Sequence, residues 1–203
     1  MKRFDRSPIR ARVQPSRLLA SACVLVACLS SGCFHFERDP TIPKIYSPNP
    51  SGRLAPVAPK ELEPPAGNSV GFVFAASGSQ NYECRSSGAG YAWVFTGPQA
   101  RLYNADDVQV GKHYAGPTWE YQDGSKVKGS VLKHVASPNP KSVDELLLKV
   151  EPHSGTGMFS DVSFIQRLRT FGGAPPEEDC ATERVGITKS VEYSAQYVFF
   201  IAS

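Results

Sequence analysis

The stretch "VEYSAQYVFFI", residues 191–201, decides the fold class. Val191, Tyr193, Ala195, Tyr197 and Phe199 fall on one side of an extended chain, and Glu192, Ser194 and Gln196 on the other. Strand side chains alternate between two faces. A helix repeats every ~3.6 residues and would scatter this pattern around its axis. The run therefore predicts a β-strand with one aromatic face.

Short apolar or alternating runs of the same kind recur upstream, at residues 70–76, 79–85, 91–97, 100–104, 108–114, 119–134, 146–150 and 164–170. Gly- or Pro-bearing clusters such as "SGS", "SSGAG" and "GPQ" separate them. About nine or ten short strands at this spacing predict an all-β domain, an antiparallel β-sandwich or barrel. "SVDELLLKV", residues 142–150, has a second reading as a helical turn capped by its Ser, beside the strand reading.

The densest motif is "HYAGPTWEYQDGS", residues 113–125. Its "AGP" breaks the preceding strand. Trp119 and Tyr121 then share one face and Glu120 takes the other. Asp123-Gly124 suits the positive-φ positions of a tight hairpin turn. Lys126 and Lys128 alternate with Val127 on the return. A structural role explains most of this motif.

The order "YAW", "HYAGPTWE", "DGS", "LLL", "IQR" followed by "GG", and a final alternating aromatic run resembles a domain family of bacteria and fungi known as domain of unknown function 3455. The resemblance covers roughly residues 69–202. It implies a secreted or envelope location and implies no activity.

The ends of the chain differ in charge. Six of the 22 basic residues and one of the 19 acidic residues lie in residues 1–32, which leaves 16 basic against 18 acidic in the rest. A near-neutral body lacks the basic balance of a nucleic-acid-binding domain, so no nucleic-acid partner is expected. The basic start leads into an apolar run over residues 18–29, too short for the ~20 residues of a bilayer span. A basic region, a short apolar run and small residues form the pattern of an export signal. "SSGC", residues 30–33, resembles the lipobox of bacterial lipoproteins, in which the cysteine, here Cys33, carries the lipid. Ser30 stands where that motif usually has Leu. The expected organisation is a signal peptide over 1–32, a Pro-rich tether over 33–67 and a β-domain over 68–203. Eight of residues 40–66 are Pro, and this composition keeps a chain extended. The implied location is the cell envelope, lipid-anchored to a membrane, with Phe34 favouring the outer one by resemblance to sorting rules in enteric bacteria.

With Cys23 and Cys28 in the signal and Cys33 lipidated, Cys84 and Cys180 remain. Two lone cysteines in an exported chain are expected to pair. Neither has a metal-ligand spacing around it, so no metal and no cofactor are expected. "GNSVG", residues 67–71, matches the serine-hydrolase elbow in letters only, because that elbow needs a strand before it and a helix after it. An acid–base site, if present, draws on His113, Glu120 and Arg167, with Asp123 as a further carboxylate. A binding site draws on Tyr114, Trp119 and Tyr121, with Tyr91 and Trp93 as further aromatics. These side chains either fill a β core or form a stacking platform for a small molecule or a glycan. Three classes remain open: a ligand- or surface-binding domain, a periplasmic hydrolase-like enzyme, and a structural part of an envelope assembly. The binding class is favoured.

Overall fold

The computed structural model describes residues 56–88, 90–151 and 153–203. The expected signal peptide, Cys33 and the expected tether up to residue 55 lie outside the described residues. Eight strands build the domain: β1 (Asn68–Ser87), β2 (Gly90–Tyr103), β3 (Gln109–Tyr114), β4 (Thr118–Tyr121), β5 (Lys126–Val135), β6 (Glu145–Val150), β7 (Val162–Gly172) and β8 (Thr188–Ala202). Each strand pairs antiparallel with the next, and β8 pairs back onto β1. The sheet is thus a closed up-and-down barrel with no free edge.

The expected nine or ten strands are eight. Runs 70–76 and 79–85 form one strand, and so do runs 91–97 and 100–104. "SGS" stays in register opposite residues 99–101 of β2, and the irregularity comes later, between Asn81 and Tyr82. "GPQ" is likewise carried within β2. Gly and Pro marked a break in the sequence where the chain only bends. "SVDELLLKV" resolves as a strand from Glu145, with no helical turn.

The barrel interior takes one face of every strand. Phe74, Leu102, Val110, Trp119, Val127, Leu148, Ile165 and Phe199 come from β1 to β8 in order and pack in one core. Tyr193, Ala195 and Tyr197 join Phe199 there, as the alternation predicted. The opposite face of β8 was expected to be simply polar, yet Ser194 and Gln196 are buried and Val198 and Phe200 belong to a second apolar cluster. That outer cluster unites Leu147, Leu168, Val198 and Phe200 with Leu62. Leu62 comes from a 3₁₀ turn (Lys60–Leu62) in the Pro-rich segment, and its carbonyl accepts a 2.7 Å bond from Gln166 Nε2. Burying a leucine of this kind is worth ~1.5–3 kcal/mol. Residues 60–62 therefore pack on the barrel and are not free chain.

One barrel end is plugged. The loop before β7 drops Phe159 into the core, where its ring stacks on Phe199 with centroids 4.9 Å apart. The β4–β5 turn holds this plug. Asp123 Oδ2 accepts from the Met158 N–H at 2.8 Å, and Ser125 Oγ accepts from the Phe159 N–H at 3.2 Å. Only Gly124 of the expected Asp-Gly pair has positive φ, at 88°. The hairpin is a longer loop, bridged by the Tyr121 N–H to the Ser125 carbonyl, in which Gly alone takes the left-handed position.

Candidate functional site: the cavity at the open barrel end

The other barrel end collects the β1–β2 hairpin, the β3–β4 turn, the β5–β6 loop and the segment after β7. Cys84 and Cys180 form a disulfide there, joining β1 to the β7–β8 connection. Two further ties hold the same connection: Tyr82 Oη donates to the Gly173 carbonyl at 2.6 Å, and Trp93 Nε1 donates to the Glu178 carbonyl at 2.7 Å. These braces hold the β7–β8 connection against β1 and β2. Between them lies a cavity of about 630 Å³. Its floor includes His113, Trp119, Arg167 and Tyr197, and its mouth includes Phe95 and Val131. Phe95 is 49% exposed and Val131 57%.

Register puts the floor together. His113 lies opposite Trp119 on β4, and Arg167 lies opposite both Leu146 and Tyr197. The Trp119 ring stacks on His113 and meets Tyr197 edge-on at 5.4 Å. His113 Nδ1 is 2.9 Å from the Thr118 carbonyl. A carbonyl only accepts, so Nδ1 carries the proton and donates. Burial pushes the imidazolium pKa of His113 down to about 3; the Thr118 bond opposes this, and the nearby Arg167 charge adds to it. The ring is neutral near pH 7, and its Nε2 presents a lone pair. Burial also raises the Tyr197 hydroxyl above its ordinary value, so that group stays protonated.

Arg167 is the cation of this floor. Its Nε donates to the Asp144 backbone carbonyl at 3.0 Å. No carboxylate of the described residues forms an ion pair with it. Asp144 lines the same cavity, but its carboxylate is held 3.1 Å from His134 Nδ1. Two buried donors of the lining lack partners, Trp119 Nε1 and Gln80 Nε2. The Gln80 amide leans towards the Tyr193 hydroxyl and lowers its pKa slightly against a dominant rise from burial.

His113 and Arg167 thus share one cavity, and Glu120 does not join them. Glu120 follows Trp119 on a strand, so it points to the outer face. There it accepts from Tyr114 Oη at 2.9 Å and pairs with Lys112 and Lys126 at 3.2 and 3.3 Å. Partial burial raises its pKa, but these three partners outweigh it and hold the carboxyl below its usual value. Asp123 sits at the plugged end. The expected acid–base set of His113 with Glu120 is not assembled. Nor do the aromatics form one platform: Trp119 lines the cavity, Tyr121 packs on Phe74 and Phe159 near the plug, and Tyr114 is outside.

No local pattern marks Gln80, His134, Asp144 or Tyr197 as site residues. Each is an isolated polar or aromatic letter in an ordinary strand or loop, and only barrel closure brings them together. Parity within β8 is the one usable signal, because it already put Tyr197 on the inward face. Among the described residues no group of three metal-ligating side chains occurs, and no helix is long and apolar enough to cross a membrane.

No curated protein and no solved structure matches the chain. A family model described as "Protein of unknown function (DUF3455)" matches residues 65–201, which is the barrel from just before β1 almost to the end of β8. The chain belongs to the DUF3455 family.

Proposed function

We propose that this is an exported, lipid-anchored envelope protein whose barrel binds a small, largely apolar molecule in the open-end cavity. The cavity itself carries the binding reading. At about 630 Å³ it falls within the ~300–1,000 Å³ of small-molecule sites. Its walls are mostly aromatic, aliphatic and proline side chains, with a few polar groups on the floor. Eight-stranded barrels are wide enough either to be filled by their own side chains or to hold one small ligand. Here the plugged half is filled and the braced half is not. An acid–base mechanism would need a carboxylate beside His113, and Glu120 lies outside.

Ala174 lines the cavity without being fully buried. An Ala174→Trp variant should fill the mouth and leave the barrel intact. Titration calorimetry with 1-naphthylmethanol should give saturable one-to-one binding to the wild type and none to a variant of unchanged melting temperature. Equal binding by both proteins places the probe elsewhere and ends the reading.

The anchor rests on the basic start, the short apolar run and "SSGC" ending at Cys33. Cells expressing the chain and fed an alkyne fatty acid should label it, and Cys33→Ser should abolish the label. Label that persists in the variant contradicts the anchor.

A further inference from the structure

We propose that the ligand of this cavity is an organic acid, bound as its anion with the head group on Arg167 and its apolar body along Trp119 and Phe95. This deepens the binding reading above and rests on it. Three observations carry it. First, Arg167 is half-buried on the inward face of β7 with no carboxylate partner among the described residues. A cation partly withdrawn from water gains from pairing with an anion. Second, its Nε is already committed to the Asp144 carbonyl, which fixes the plane of the guanidinium. The guanidinium also bonds the Tyr197 hydroxyl, and its remaining N–H groups are left to meet an incoming group, where their fork matches a planar carboxylate. Third, the Trp119 indole N–H is a donor of the lining with no partner. A buried indole N–H normally finds an acceptor. A floor with one cation and a spare donor selects an acceptor-rich, negative head.

His113 is neutral at physiological pH and adds no second cation. The one carboxylate of the lining, Asp144, has a 45% exposed side chain and lies 3.1 Å from His134 Nδ1. The exposed Phe95 and Val131 side chains at the mouth offer apolar surface to the body of the ligand.

The test uses the full chain and two probes of equal bulk, 1-naphthoate and 1-naphthylmethanol, titrated by calorimetry at pH 7. The wild type should bind the naphthoate at least tenfold more tightly than the alcohol. Arg167→Met should bring the naphthoate down to the affinity of the alcohol, and Arg167→Lys should retain part of the preference. Equal affinity of the wild type for the two probes overturns the organic-acid assignment while the cavity reading stands. Binding of neither probe overturns both. A preference undiminished in a folded Arg167→Met protein removes Arg167 from the role. Should that variant not fold, the two-probe comparison on the wild type still decides the charge of the ligand.

Discussion

His113 and Trp119 lie directly opposite each other on β3 and β4, and their rings stack with centroids 4.2 Å apart and planes 12° from parallel. The contact joins a titratable ring to the core, so protonating the ring puts a charge on a group that burial has stripped of most of its water.

Acid should therefore weaken the fold through His113. His113 has an ordinary pKa of 6.5 when unfolded and about 3 when folded. Between those values the unfolded chain holds a proton that the folded one refuses, so stability is full above 6.5 and falls as pH drops towards 3. The slope is about 1.4 kcal/mol per pH unit. Glu120 and Asp123 have folded pKa values below 4.5 and 3.8, and their contributions are lost only at lower pH. Urea unfolding between pH 6.5 and 4.5 isolates the histidine. Wild type should lose stability across this window, and His113→Gln should lose much less. A flat wild-type profile would contradict a buried neutral His113.

Trp119 should be required for folding. It is 1% exposed, and truncating such a side chain costs ~3–5 kcal/mol. Gly129 tests the same packing from β5, because a Cβ there would lie 3.2 Å from Trp119 Cζ3 and from Leu148 Cβ. Gly129→Val should destabilise by ~1–3 kcal/mol through overpacking. Melting temperatures of Trp119→Ala and Gly129→Val near wild type would mean that the ring sits elsewhere.

The alternation in residues 191–201 made the inward face of β8 legible, and the motif at 113–125 made the β4–β5 hairpin legible. Barrel closure was not legible, because β1 and β8 pair across the whole length of the domain and no local pattern records which partner a strand takes. Gly and Pro inside β1 and β2 hid two long strands, since the sequence shows a breaker and not the register that carries the chain through it. The cavity was half legible. His113, Trp119 and Arg167 stood out as letters, but Glu120 stood out equally. Only strand parity, counted from Trp119, separates the two sides.

The plug should depend on Asp123. Its carboxylate accepts from the Ser125 hydroxyl, the Met158 N–H and the Ser125 N–H, and these bonds hold its pKa below the usual value, against a small rise from desolvation. Its contribution is present above the unfolded pKa near 3.8 and disappears as pH falls through the lower folded value. Asp123→Asn should expose the amides of Met158 and Phe159 to faster hydrogen exchange at pH 7 and leave Tyr197 protected. Unchanged exchange at residues 158 and 159 would show that Phe159 stays seated without the latch.

Loss of the Cys84–Cys180 bridge should loosen the open end more than the plugged end. The link spans 96 positions, and a native disulfide of a small secreted domain is worth ~2–5 kcal/mol. The double Ser variant should unfold at lower denaturant and be cut first by protease within the β7–β8 connection. Cleavage beginning near the plug would contradict the brace.

The central claim is that a ligand sits on the floor of the open end, against Trp119. The chain has two tryptophans, Trp93 and Trp119, so a ¹⁵N-labelled sample shows two indole N–H resonances, assigned with Trp119→Phe. Titration with 1-naphthylmethanol should move the Trp119 resonance to a saturating end point and leave Trp93, bonded to the Glu178 carbonyl, nearly still. A Trp119 resonance that stays fixed at probe saturation would contradict the account.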